Sequence, residues 1–509
     1  MLRKTGKLGG LLFMHMTAWP AVWIGIDWME AYYFVGEKLL KKQKQISSQC
    51  QGEEKLLRRI KKIRDKMVLY LKKYTTREPD LENISCWVNA NIRVFQNSLI
   101  EKYDTSIHQK VASTFSRVIQ THQLDKLDLE FLPRNIAVGS IGVYENIDIY
   151  IKAAALGLRP PKKLILLVDP KARINNPCYL RYWSQHITII SDPSLIQRLA
   201  PLEKVLTAPI NFYMSFYEKT ISSPFALGIV REKWYRENRK PTLTISNEDY
   251  RRGWDCLKSL GVSQDTWFVC LHVREAGWND PNSYASQFRN ADIKTYFSAI
   301  KAVVDAGGWV IRMGDPGMTP LPPMPHVIDY AHSQAKSDWM DVFLCSQCRF
   351  IIGSSSGVFP VASAFGVPAV VTNFLQASAV YQMSSQDILL PRICRDKTKN
   401  RNLTFYELIS PPLGMAFSQI HYDELGIEAV ENTPEQIKDA VMEMLERFHG
   451  TVQYSEEDEI LQERFQKVTA SCGKLYGNED FICYSRIGRK FLRDHAALLP
   501  AEVMAECSS

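Results

Sequence analysis

Apolar positions along this chain follow two different periods. In the first 80 residues they recur at spacings of three and four. Leu56, Ile60, Ile63, Met67 and Leu71 form one stripe, and Lys55, Arg58, Arg59, Lys61, Lys62, Arg64, Lys72 and Lys73 cover the remaining surface. That pattern predicts a basic amphipathic helix. From about Pro133 short apolar runs alternate with helical stretches. Asn135–Val138 is predicted as a strand that enters the turn Gly139-Ser140-Ile141-Gly142. A helix from Glu145 to about Leu156 follows, closed by Gly157 and kept from resuming by Pro160-Pro161. Lys163–Val168 is the next strand, completing a βαβ unit. His186–Ile190 reads as a strand and Ser194–Leu199 as a short helix.

Pro241 to about Glu248 reads as a linker. A helix from Asp249 to Leu260, capped by Gly261, opens a second alternating stretch. Strands are expected near 267–272, 308–313, 326–328, 349–352 and 368–372, with helices near 292–306, 338–347 and 357–365. Long helices are expected at 434–448 and 455–470. This alternation predicts an α/β fold with a parallel sheet covered on both faces. Two such halves facing each other leave a cleft for ligands. The expected division is a basic helical appendage over 1–80, one α/β half over 81–245, a second over 246–450, and C-terminal helices and tail over 451–509.

The length of 509 residues, too great for one typical core, agrees with that division. Charge sharpens it. Residues 1–77 hold 17 Lys/Arg against 6 Asp/Glu, a balance of +11 in a chain of net +7, so the remainder carries −4. A body without basic excess argues against nucleic-acid binding. The basic appendage fits attachment to anionic lipid, and a solvated basic helix is the alternative. Residues 8–26 contain no Asp, Glu, Lys or Arg, a length close to a bilayer span. Gly9, Gly10, His15, Thr17 and Pro20 make a poor transmembrane helix, and Trp19, Trp23 and Trp28 favour the headgroup boundary. An in-plane or uncleaved anchor is expected, against the alternative of a helix packed on the protein's own body. The 11 cysteines, odd in number and without framework spacing, predict reduced thiols and a cytoplasmic body held at the inner face of the cytoplasmic membrane. Cys345-Ser-Gln-Cys348 has no second pair at zinc spacing, so no metal site is expected.

Candidate chemistry sits at the strand ends, where open α/β sheets bind ligands. The apolar run Trp267–Leu271 stops at His272, Val273, Arg274 and Glu275, and alternation puts His272 and Arg274 on one side. Arg289 and Asn290 lie in the following loop. The next strand ends with Arg312, Gly314 and Asp315, and Asp338 and Asp341 open a helix where either could hold a sugar or ribose hydroxyl. Gly353-Ser354-Ser355-Ser356-Gly357 turns from a strand into a helix, and free N–H groups and hydroxyls there favour an anion. With arginines nearby, a diphosphate could be neutralised without metal, and the chain has no Asp-x-Asp. Gly353-x-Ser355-x-Gly357 also matches a serine-hydrolase elbow, with Asp387 or Asp396 and His421 or His449 as formal partners.

The segments Cys270-Leu-His-Val-Arg-Glu275, Arg289-Asn-Ala-Asp292, Gly307–Asp315, Val327–His332, Ser337–Asp341, Cys348–Gly357 and Phe365-Gly-Val-Pro368 together resemble a family of bacterial glycosyltransferases linked to surface polysaccharide such as lipopolysaccharide. The resemblance implies a GT-B type fold: two Rossmann-like domains, an acceptor side in the first and a nucleotide-sugar site in the second. It implies a nucleotide-sugar donor, a glycan or lipid-linked acceptor and no further cofactor. The His-x-Arg is similar to that of fucosyltransferase-type enzymes, where the arginine contacts the donor diphosphate. That role falls on Arg274, and hexosyl or deoxyhexosyl transfer is the expected reaction. Val361 stands where many retaining relatives carry a ribose-binding glutamate. On the acceptor side the expectation is Gly139, Gly142 and Glu145. Glu145, Asp148, Glu275 and His272 remain open as the base. A non-catalytic nucleotide- or glycan-binding scaffold is the principal alternative.

Overall fold

The structure, a computed structural model, describes residues 109, 120 and 123–500 apart from 211–212, 218, 276–283, 376, 411–412, 417–418 and 476–480. The expected anchor at 8–26, the basic stripe at 56–71 and the appendage over 1–80 lie outside the described residues. Among the described residues no helix is long and apolar enough to cross a membrane. The chain divides into two compact units. One holds the described residues up to Pro133 with Lys162–Lys171 and Thr188–Ile221; the other holds Arg134–Pro161, Ala172–Ile187 and the chain from Ser222 onward.

The first unit is small. Strands β1 (Leu129–Phe131), β2 (Lys163–Leu167) and β3 (Thr188–Ile190) form a parallel sheet in that order. Its core is Phe131, Leu167 and Leu206. Leu206 comes from the helix Pro193–Leu206, which starts where Asp192 accepts a hydrogen bond from Leu195 N and proline fills the first position. A two-stranded sheet, β4 (Tyr213–Ser215) with β5 (Thr220–Ser222), completes the unit. The strand expected at Asn135–Val138 is instead one helical turn. Ile136 and Ala137 are both buried, a pattern with no alternation.

The second unit carries a seven-stranded parallel sheet. Its strands are β6 (Phe268–His272), β7 (Trp309–Arg312), β8 (Val327–Ile328), β9 (Ile351–Ser354), β10 (Ala369–Phe374), β11 (Ile388–Pro391) and, after the small sheet described next, β15. A separate antiparallel sheet pairs β12 (Ile393–Asp396) with β13 (Arg401–Asn402) and β14 (Ile427–Val430). With β15 (Arg486–Ile487) the large sheet runs β15-β11-β10-β9-β6-β7-β8. Four of the five β6 residues and all six of β10 are buried, as expected of strands covered on both faces. Helices at Asn247–Ser259, Phe297–Asp305, Asp338–Gln347, Val358–Ala364, Pro434–His449 and Glu456–Leu475 accompany the sheet, close to the ranges that periodicity predicts. Because the strands are parallel, the carboxyl ends of β6, β7, β9 and β10 share one edge. That edge holds the candidate chemistry.

A candidate anion site at the strand ends

β6 and β9 are adjacent, and their register pairs His272 with Gly353. A Cβ on Gly353 would lie 2.1 Å from the His272 carbonyl oxygen, so only glycine lets the two strand ends meet there. One residue on, Ser354 Oγ accepts a hydrogen bond from Arg274 N at 2.9 Å. The Arg274 carbonyl in turn accepts from Ala291 N at 3.0 Å. These two bonds bring the end of β6, the Ser354 turn and the Arg289–Asn290 loop together. Val273 is buried while His272 and Arg274 are half-buried, so alternation does present the latter two on the same side.

Charge is concentrated here. Burial pushes the Arg289 guanidinium down to about 10, and the neighbouring Arg274 charge lowers it further. Among the described residues Arg289 has no carboxylate partner; it rests over the Phe288 ring at 5.6 Å, with Nε buried and unpaired. Burial also lowers Arg274. A guanidinium lowered by a neighbouring guanidinium is favoured by an anion placed between the two, as in arginine pairs that bind phosphate. His272 is pushed down to about 4, first by burial, then by Arg312, Arg274 and Lys336. It is therefore neutral at pH 7, and its Nδ1 is buried without a partner among the described residues.

The shift in His272 has a sign that can be tested. Its folded value lies below the ordinary 6.5, so the unfolded chain binds the proton more readily. Stability contributed by neutral His272 is present above pH 6.5 and is lost as pH falls through 4. Denaturant midpoints of wild type and His272→Gln between pH 4 and 7 should diverge, with the flatter profile in the variant.

Other expected residues have different roles. Arg312 is 0% exposed and is bound to Asp329 at 3.1 Å, Glu275 at 3.2 Å and the Thr319 carbonyl at 3.0 Å. Its charge is neutralised inside the protein, so it is a structural group rather than a donor-binding one. Glu275 is committed in the same network, accepting from Thr319 N and Oγ1 as well. Gly314 has φ +152°, and a Cβ there would meet Met318 Sδ at 2.4 Å. Asp315 is exposed and closes a turn by accepting from Gly317 N. Asp341 is held by Lys336 at 2.5 Å and the Tyr330 hydroxyl at 2.8 Å. Asp338 is exposed in the first turn of its helix, and its carbonyl accepts from Asn176 Nδ2. The Asn290 carbonyl accepts from Arg392.

The glycine turns also differ from expectation. Gly142, placed by sequence on a separate acceptor side, is in the second unit and touches Gly357: a Cβ on Gly142 would lie 2.8 Å from the Gly357 Cα. A Cβ on Gly357 would meet Gly142 N and Ser140 Oγ, at 2.9 and 3.0 Å. Both glycines are explained by this close backbone approach. Gly139 ends the Asn135–Val138 turn by donating its N–H to the Asn135 carbonyl. Glu145 is paired with Arg231 at 3.0 Å, and the buried Asp148 with Lys152 at 2.7 Å. Ser355 is buried and Ser356 half-buried.

Both acids named for the hydrolase alternative are engaged elsewhere. Asp387 accepts from Ala369 N and from Ser384 at the amino ends of β10 and β11, the opposite end of the parallel sheet from Ser355, which follows the carboxyl end of β9. Asp396 accepts from Thr398 N and Lys399 N in the small antiparallel sheet. His449 is exposed at the end of the helix Pro434–His449, and the His421 side chain lies outside the described residues.

No family profile matches the chain, and no curated protein does. Among solved structures, the chain is similar to a glycosyl transferase family 9 protein from Veillonella parvula, at 11% identity and TM-score 0.33, over 63% of this chain and 96% of that one. It is similar to E. coli ADP-heptose lps heptosyltransferase II at 13% identity and TM-score 0.36, over 63% and 100%. A dodecameric iron-containing heptosyltransferase, TibC, matches at 12% identity and TM-score 0.31, over 63% and 76%. Likenesses this loose carry no argument about activity.

Two features of the edge escape a sequence reading. Lys336 adds a third cation near His272 while paired with Asp341. The buried Tyr296, Thr372, Asn373 and Asn432 form a hydrogen-bonded cluster at the end of β10. The left-handed φ of 52° at Asn373 is its one local mark.

Proposed function

We propose that this protein is a glycosyltransferase that moves a hexosyl or deoxyhexosyl group from a nucleotide-diphosphate donor to a glycan or lipid-linked acceptor, in bacterial surface polysaccharide synthesis. The carrying observation is the Arg274–Arg289 pair, in which Arg289 has no internal counter-ion among the described residues. The sugar, the acceptor class and the setting come from the motif resemblance. Departure of a diphosphate develops negative charge on the leaving oxygens, and cations already fixed in place stabilise it by several kcal/mol. Arg274 and Arg289 take that role, with Ser354 holding the Arg274 main chain. His272, neutral beside them, contributes hydrogen bonding rather than charge. Of the four candidate bases, Glu145, Asp148 and Glu275 are each engaged in ion pairs, which leaves His272 as the group next to the site without one. The reading includes metal-independent turnover and a basic N-terminal segment that meets the inner face of the cytoplasmic membrane.

A panel of nucleotide sugars, with products identified by mass, tests this proposal. At least one donor should be hydrolysed slowly without acceptor and equally well in EDTA. A panel in which no donor is consumed, while each nucleotide still binds, would favour the scaffold. Dependence on added divalent metal would overturn the metal-independent part.

A further inference from the structure

A recess lies on the same unit, beside the loop that carries Arg289 but chemically unlike the arginine pair. It has a volume of ≈ 380 Å³, within the range of about 300–1,000 Å³ typical of small-molecule sites. One wall is the loop carrying Gln287, Phe288 and Asn290; the others come from Arg392, Lys397, the helix Gln419–Glu424 and β14. The walls are fixed to each other: Arg392 donates to the Asn290 carbonyl, Asp292 N donates to Glu431, Lys397 N donates to the Gly426 carbonyl, and Gln419 donates to Asp423. Phe288 is buried and stacked on Tyr422 at 5.8 Å.

The recess is lined by an arginine that is only 5% exposed, and two polar atoms of its lining residues have no hydrogen-bond partner among the described residues. Arg392 Nε is a donor and Asn290 Oδ1 an acceptor, both buried and unsatisfied. Buried polar atoms left unpaired are uncommon and cost stability, so a ligand or an ordered water is expected to answer them. Charge selects the ligand class. Arg392 and Lys397 face Asp423, Glu428 and Glu431, two cations against three carboxylates. A phosphate or nucleoside diphosphate would be repelled by the excess of carboxylates. Hydroxyls both donate and accept, and they fit a wall of alternating acids, bases and amides. Phe288, Ile427 and Ala429 supply an apolar patch for a C–H face.

We infer that this recess binds a neutral polyhydroxylated ring, such as a pyranose unit of a glycan. The inference stands apart from the arginine pair and does not need it. It is tested by saturation-transfer NMR on the full chain with methyl α-glucopyranoside, methyl α-mannopyranoside, methyl α-fucopyranoside and myo-inositol, with inorganic phosphate as the anionic comparison. At least one of the four should receive saturation. Lys397→Ala and Asp423→Ala, both at exposed positions, should each weaken it by about ten-fold, the loss of one charged hydrogen bond. Arg274→Ala should leave it unchanged. No signal from any ring compound, a signal indifferent to both substitutions, or a signal lost only in Arg274→Ala would overturn the inference. Nucleotide binding measured in parallel should respond to Arg274→Ala and not to Lys397→Ala, so failure of one reading is separable from failure of the other.

Discussion

Arg274→Ala is expected to lower turnover of the nucleotide-sugar donor by roughly 10²–10³-fold, the range for removing one preorganised group that stabilises developing negative charge. The reason lies in where the charge comes from. The Arg274 main chain is anchored through its N–H to Ser354 and its carbonyl to Ala291, and alanine keeps both bonds. The substitution therefore removes the guanidinium while the main-chain anchors of the strand end stay in place. Arg289→Ala should act in the same direction. The double variant should fall short of the product of the two single effects, because neighbouring charges that share one ligand are not additive. Steady-state rates for the three variants, with urea midpoints measured alongside, separate loss of chemistry from loss of fold. Full activity in Arg274→Ala would remove it from the site.

The second large effect belongs to Arg312 and has the opposite character. Arg312→Ala should destabilise the protein by about 3–5 kcal/mol, since it strips the common partner from Glu275 and Asp329 and leaves them uncompensated. The damage should spread, because Asp329 also holds His332 and Leu321 N, and Glu275 holds the Thr319 turn. Equilibrium denaturation is the measurement. A variant of unchanged stability that had lost donor affinity would mean that Arg312 serves the ligand rather than the fold.

These two arginines show how far sequence reaches. Both end a predicted strand, and both strands are where periodicity places them: β6 within 267–272 and β7 within 308–313. What distinguishes them is the company they keep, and this depends on tertiary approach. Arg312 meets Asp329, 17 residues away, and Glu275, 37 residues away. No local pattern marks either contact. The same holds for Gly142 and Gly357, whose main chains touch across more than 200 residues of sequence. Longer helices were legible, and Asp338–Gln347 matches its predicted range. Strands shorter than five residues and interrupted by charge were not. Ile393–Asp396 and Arg401–Asn402 carry no alternation long enough to read, yet they belong to the sheet that walls the recess beside the Arg289 loop. Asn135–Val138 failed because a four-residue stretch with three apolar positions does not specify its period.

Titration calorimetry of ADP, GDP and UDP against their parent nucleosides, at low and high salt, reaches the central claim most directly. If Arg274 and Arg289 hold a pyrophosphate, at least one diphosphate binds, its nucleoside binds far more weakly, and the affinity falls as salt rises. Equal affinity for nucleoside and diphosphate, or a diphosphate affinity that survives removal of both arginines, would contradict it.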